Sequence, residues 1–159
     1  MSKNLVAYFS ASGQTAKLAK TLAKVVDGTI YEILPKQPYT SADLNWQDKQ
    51  SRSSIEMNDK SYRPEVANKV DDINQYDVIY VGFPIWWYVA PTIINTFLEQ
   101  YDLTGKTIIP FATSGGSGMG NTNHELKVSC PNANLIEGKR FGANASGNEL
   151  KAWVTSLNI

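Results

Sequence analysis

The sequence predicts an open parallel α/β sheet wound by right-handed crossovers. Apolar runs of strand length alternate with segments of helical period. The runs are continuous rather than alternating, as in parallel strands covered on both faces. At 159 residues the chain suits one domain, residues 1–159, with a core large enough to need neither disulfides nor a structural metal.

Leu5 to Phe9 is the first strand. Thr15, Leu18, Ala19, Leu22, Ala23 and Val26 then recur at helical spacing, with Lys17, Lys20, Thr21 and Lys24 on the opposite face. Asp27-Gly28 stops that helix, and Ile30 to Leu34 reads as a second strand whose Glu32 marks a partly exposed edge. Pro64 suits a first helical position, with Val66, Val70 and Ile73 on one face. Val78 to Phe83 is a third, buried strand. A helix opened by Pro91 groups Ile94, Phe97, Leu98 and Tyr101 on one side. Thr107 to Ala112 is the fourth strand, in which Pro110, awkward at a central position, points to a bulge. A helix follows around Asn121 to Val128, and Leu135 to Phe141 reads as a fifth strand interrupted by Glu137, Gly138, Lys139 and Arg140. The last helix opens on a capping box, Ser146 with Glu149, and presents Leu150, Trp153, Val154 and Leu157.

Residues 35–63 break this rhythm of five strands and five helices. They are far longer than the ~2–6 residues usual for such a connection. The insert either packs on the sheet edge with a short helix of its own or forms a lid or rim at the functional end.

Composition narrows the partners. Hydrophobic residues make up 42% and charged residues 19%, a globular balance. The 15 basic and 15 acidic residues cancel, which gives no reason to expect nucleic acid or an anionic membrane. With Cys130 as the sole cysteine, neither an intramolecular disulfide nor a cysteine metal cluster is expected. The N-terminal run lacks the h-region of a signal peptide, and no stretch approaches the ~20 apolar residues of a membrane span. A reducing cytoplasm is the expected location.

In such a sheet, ligands bind beyond the carboxyl ends of the strands. The loop after the first strand reads Ser10-Ala11-Ser12-Gly13-Gln14-Thr15, three hydroxyls and a glycine at a helix start. Free backbone N–H groups and the positive dipole end make an anion site there, although the same residues would serve an ordinary capped helix. The loop carries no Lys or Arg and matches neither the Walker A nor the dinucleotide fingerprint. Neutral donors alone point to a permanently carried phosphomonoester rather than a triphosphate with magnesium. The loop after the third strand reads Pro84-Ile85-Trp86-Trp87-Tyr88-Val89-Ala90-Pro91. Its consecutive aromatics cannot all face one core, so at least one is free to stack on a planar ligand unless they merely plug the end of the fold. The loop after the fourth strand, Thr113-Ser114-Gly115-Gly116-Ser117-Gly118-Met119-Gly120, allows close backbone approach, or is a flexible turn.

Ser10 to Thr15 resembles the phosphate loop of flavodoxins, with Ser for each leading Thr and Gln14 for Asn. Phe83 to Tyr88 and Thr113 to Gly118 are similar to the flavin loops of NAD(P)H quinone reductases within the wider flavodoxin-like group. The resemblance implies a three-layer sandwich around a five-stranded parallel sheet in the order 2-1-3-4-5, binding one FMN non-covalently. The FMN phosphate would sit on Ser10, Ser12, Gly13, Gln14, Thr15 and Ala16. Pro84, Ile85, Trp86, Trp87 and Tyr88 would flank the ribityl chain and ring, and Thr113, Ser114, Gly115 and Gly116 would line the pyrimidine edge. The redox chemistry would be the flavin's, so no catalytic side chain and no metal site is expected.

Other residues read more plainly. His124, the sole histidine, does not align with the Tyr and His of quinone reductases and reads as surface more than as an aid to flavin chemistry. Cys130 reads as structural, Trp153 as core, and Trp46 as an anchor for the insert more than a cover for the flavin. Three functions stay open: an electron carrier docking on a redox partner protein, an enzyme passing a hydride from NAD(P)H through FMN to a quinone, azo or similar acceptor, and a non-catalytic interaction module. Small size and the lack of a nicotinamide-binding segment lean toward the carrier. The missing acidic field leans toward the enzyme, and under either function a monomer or a homodimer is expected.

Overall fold

The computed structural model describes residues 3–11, 13–114 and 118–158. Its sheet is parallel, built from β1 (Asn4–Tyr8), β2 (Thr29–Glu32), β3 (Val78–Pro84), β4 (Thr107–Thr113) and β5 (Asn134–Leu135) in the order β2-β1-β3-β4-β5. That is the expected order. The ends of β1 to β4 shift by no more than a residue or two from those read off the apolar runs.

Alternate residues of each strand feed two cores. Leu5, Ala7, Ile79, Val81, Ile108 and Ala112 face α3 (Thr92–Glu99) and α4 (Thr122–Lys127), whose Ile93, Ile94, Phe97, Leu98 and Leu126 close that side. Val6, Tyr8, Tyr80, Ile109 and Phe111 face α1 (Gln14–Val26) and α5 (Gly147–Ser156), meeting Leu18, Leu22, Leu150 and Trp153. Two helical layers cover the sheet. Asp27, in the left-handed region at φ 50°, turns the chain out of α1, and the Gly28 N–H donates to the Ala23 carbonyl at 2.9 Å. At α5 the Ser146 hydroxyl accepts from the Glu149 N–H at 3.1 Å, as its capping motif predicts. Trp153 is core, edge-on to Phe141 at 5.0 Å. Cys130 is buried too, its thiol donating to the Leu126 carbonyl and pushed up in pKa by burial.

Two expectations need correction. The segment from Pro64 is not a helix. It runs extended along the open edge of β2, with Pro35 bridging Val66, Ala67 N–H donating to the Leu34 carbonyl at 2.7 Å, and the Asn68 amide donating to the Glu32 carbonyl at 3.0 Å. Unpaired edge groups outbid a weak helical period. Val66, Val70 and Ile73 still pack on the core, with a single 3₁₀ turn at Ile73–Gln75. The second α-helix lies instead inside the insert, α2 (Arg52–Met57).

The fifth strand is split. β5 pairs with Thr107 and Ile108, and β6 (Lys139–Phe141) pairs with Phe111 to Thr113. The break faces Pro110. The Ile136 N–H reaches the Ile108 carbonyl at 2.8 Å, and the residue two further along β4 presents the same edge, where proline has no N–H to offer. β4 itself runs through Pro110 in register with Val81, so the bulge is in its neighbour. The Asn123 side chain spans the gap, donating to the Ile136 carbonyl at 2.8 Å and accepting from the Gly138 N–H at 3.1 Å.

Among the described residues, no helix is long and apolar enough to cross a membrane.

Candidate functional site

The loops after β1, β3 and β4 meet at the carboxyl end of the sheet. Gly13 turns the chain into α1 with φ +89°, and a Cβ placed there would meet nothing within 4 Å, so the space above it is open. Ser10 Oγ accepts from the Gly13 N–H at 3.1 Å and the Ala16 N–H at 3.2 Å. A hydroxyl that accepts twice keeps its proton to donate outward. The first turn of α1 carries no acidic side chain, and Gln14 is exposed beside it. Thr15 is buried, and its hydroxyl meets that of Thr113 at 2.8 Å, tying the first loop to the end of β4. One of that pair donates to the other, which leaves the pair one further O–H.

The loop after β3 is a tight hairpin. Trp86 and Val89 exchange both backbone hydrogen bonds, at 3.0 and 3.1 Å, and the two residues between them, Trp87 and Tyr88, have φ of 51° and 65°. Such turns usually need Asn or Gly, so two aromatics here hold strained backbone, a feature that clusters at functional sites. Pro84 ends β3, and the Ile85 N–H donates to the Thr113 carbonyl at 2.9 Å. Asn121 N–H clamps the hairpin from α4 by donating to the Tyr88 carbonyl at 3.2 Å. At Gly120 a Cβ would lie 2.3 Å from that carbonyl oxygen, so glycine is required there.

The three aromatics divide between the two roles open to them. Trp86 plugs, packing edge-on against Phe9 at 5.8 Å and Tyr39 at 5.5 Å. Trp87 and Tyr88 are 45% and 64% exposed. Of the predicted cofactor contacts, Ser10, Gly13, Gln14, Thr15, Ala16, Pro84 to Tyr88, Thr113 and Ser114 are thus brought to one end of the sheet. Ser12, Gly115 and Gly116 lie outside the described residues.

The insert carries a short helix of its own and walls this site, combining the two courses its sequence left open, although none of its residues was among the predicted cofactor contacts. Its Tyr39 OH donates to the buried Glu56 carboxylate at 2.5 Å, and Arg52 Nε donates to the same group at 2.9 Å. The Arg52 guanidinium also lies 3.8 Å over the Tyr39 ring. Burial first, then the Glu56 hydrogen bond and charge, push the Tyr39 phenol up in pKa. Tyr39 is the anchor of the insert. Trp46, expected in that role, is 69% exposed and lines the cavity instead. That cavity, of about 600 Å³, lies between Ala11, Leu44, Trp46, Ser53 and the Pro84–Tyr88 loop. A second, of about 690 Å³, lies across the hairpin, bounded by Trp87, Tyr88, Thr92 and Asn95 and by Lys60 and Arg63 of the insert. His124 is exposed on α4 and lines neither. The signal available in sequence was the insert's length, its aromatics and the i, i+4 spacing of Arg52 and Glu56.

The family model described as Flavodoxin matches residues 3–157. The chain belongs to the flavodoxin family. Two solved structures, each assigned as a flavoprotein, are similar along essentially the whole of this flavodoxin-family chain. One, from Bacteroides eggerthii, is 50% identical, covers 100% of this chain and 99% of its own, and superposes with a TM-score of 0.95. The other, from Bacteroides uniformis, is 52% identical, covers 97% and 98%, and has a TM-score of 0.92. A Lactobacillus acidophilus flavoprotein solved in complex with FMN shares the fold at 24% identity and TM-score 0.76, covering 97% and 99%. An uncharacterized NAD(P)H oxidoreductase of Escherichia coli is 33% identical over 42 residues, which span 26% of this chain and only 21% of that protein.

Proposed function

We propose that this flavodoxin-family chain binds one FMN non-covalently and carries electrons through it. The observation that carries the reading is the meeting, beyond β1, β3 and β4, of an acid-free helix N-terminus with an exposed aromatic hairpin. Family membership and the FMN complex of the Lactobacillus relative support FMN as the cofactor.

The residues present fit that group. Gly13 leaves open space over backbone N–H groups that have no intrahelical partner, and Ser10 holds the loop while keeping a proton to offer, so both would hold the phosphate. Gln14, Ala16 and Ser12 complete that loop. Trp87 and Tyr88 supply rings against which a planar group loses water, and Pro84 and Ile85 back them. Thr113 and Ser114, with Gly115 and Gly116, would frame the opposite edge. When bound, FMN supplies one- and two-electron redox chemistry; the chain's part is to hold, orient and shield.

A second reading, an NAD(P)H-dependent reductase of quinone or azo-type acceptors, is favoured by the 690 Å³ cavity beside the hairpin, which has room for a second small molecule. The short likeness to an NAD(P)H oxidoreductase supports it as well. The partner is accordingly a redox protein, or NAD(P)H with a small acceptor, and the active unit a monomer or homodimer. The test is an absorption spectrum with stoichiometric FMN, followed by anaerobic addition of NADH or NADPH. Flavin bands that persist with pyridine nucleotides yet bleach stepwise with dithionite mark a carrier, and rapid bleaching by either nucleotide marks the reductase. A chain that takes up no FMN is an interaction module.

A further inference from the structure

We infer that Ser53, supplied by the insert, is a cofactor-contacting residue whose hydroxyl hydrogen-bonds the flavin ring; the inference rests on the FMN reading above. Ser53 is 2% exposed, and its Oγ has no hydrogen-bond partner among the described residues. Burying a hydroxyl without a partner costs stability, so an orphan of this kind calls for an explanation. The same helix does not neglect its other hydroxyls. Ser51 Oγ donates to Ser54 Oγ at 2.9 Å and caps the Ser54 N–H, and Ser54 Oγ donates to the Asp48 carbonyl at 2.8 Å.

Ser53 lines the 600 Å³ cavity together with Ala11 of the first loop and the Pro84–Tyr88 loop. Among the described residues, no Asp, Glu, Lys, Arg or His lines that cavity. An uncharged planar ring therefore suits it better than a phosphate, which belongs at the helix terminus beside Gly13. Indole and aliphatic surface dominate the walls, and the flavin ring carries carbonyl and nitrogen acceptors that a serine proton can meet. The backbone that carries the hydroxyl is held in advance: the Ser53 N–H donates to the Asp43 carbonyl at 2.9 Å, and the Arg52–Glu56 pair flanks it on α2. Such preorganisation lowers the entropy lost on binding.

Flavin titrations of the full chain, paired with melting of the apoprotein, test this. Ser53→Ala apoprotein is expected to melt no lower than wild type, because alanine removes the orphan and is the stronger helix former. Ser54→Ala, which breaks a satisfied bond, is expected to melt lower. Ser53→Ala should weaken FMN and riboflavin by the same factor, about tenfold, because the contact is to the ring that both share. An unchanged affinity, a loss confined to FMN, or a Ser53→Ala apoprotein that melts below wild type overturns the inference. Failure of wild type itself to bind either flavin removes the FMN reading and this inference with it.

Discussion

The hydroxyls of Thr15 and Thr113 meet although 98 positions separate them in the chain. Both are buried, so each satisfies a group that would otherwise stand alone in the interior. Thr113→Val is therefore expected to cost about 1–3 kcal/mol by stranding Thr15, whereas Thr15→Val with Thr113→Val should cost far less. Urea denaturation of the two single variants and the double variant measures this, and additive losses would show that the pair is not coupled. At this scale the residue types were legible in sequence: a Ser, Gly and Thr loop before a helix supplies the donors of an anion site, although the same residues also suit an ordinary capped helix. That Thr15 spends its hydroxyl on Thr113 was not legible, because β1 and β4 are brought into reach only by β3 lying between them. The three consecutive aromatics were equally ambiguous. Which of them plugs and which stand free is decided by two positive φ angles in the hairpin and by the carbonyl clamp from Asn121.

Elements with strong local signals came out as their sequences predict. Continuous apolar runs became the central strands, and the α1 face of Leu18, Ala19 and Leu22 is buried where its period places it. Elements with weak local signals were settled by neighbours. Pro64 to Ile73 carries three apolar residues at helical spacing, yet its backbone serves the bare edge of β2. Leu135 to Phe141 breaks because β4 opposes it with a proline, and Asn123 satisfies the groups freed by the break. Packing between elements also demands glycine at one point of the sheet. Gly82 pairs with Phe111 across β3 and β4, and a Cβ at Gly82 would lie 2.2 Å from that ring. Gly82→Ala is expected to destabilise by at least about 1–3 kcal/mol through overpacking, read as a lowered melting temperature. Adding Phe111→Leu should restore part of the loss, whereas a backbone explanation predicts no rescue.

At the scale of the whole molecule, the insert ties the functional end together. Its far end is fixed to two helices: Lys60 to Glu125 of α4 at 2.7 Å, and Arg63 Nε to Glu99 of α3 at 3.0 Å. The Arg63 hydrogen bond, helped by the Ser129 hydroxyl, holds the Glu99 carboxyl below its ordinary value of 4.5. Because the folded protein keeps this group more acidic than the unfolded chain does, the pair stabilises above pH 4.5 and loses that contribution as pH falls through the lower folded value. Chemical denaturation across pH should show Glu99→Gln less stable than wild type at pH 7 and equal to it once both carboxyl states are protonated. A gap that persists in acid would mean that Glu99 acts by packing alone. By itself the sequence determined the central strands, the helices with a clear apolar face, the covering of the sheet on both faces and the loops of the candidate site, because burial on both faces and helical period are local patterns. The tertiary structure alone decided the course of the insert, the split last strand, the tie between Thr15 and Thr113 and the unpartnered hydroxyl of Ser53. Each of these depends on which groups distant in the chain arrive beside it, or fail to, and no local pattern records that.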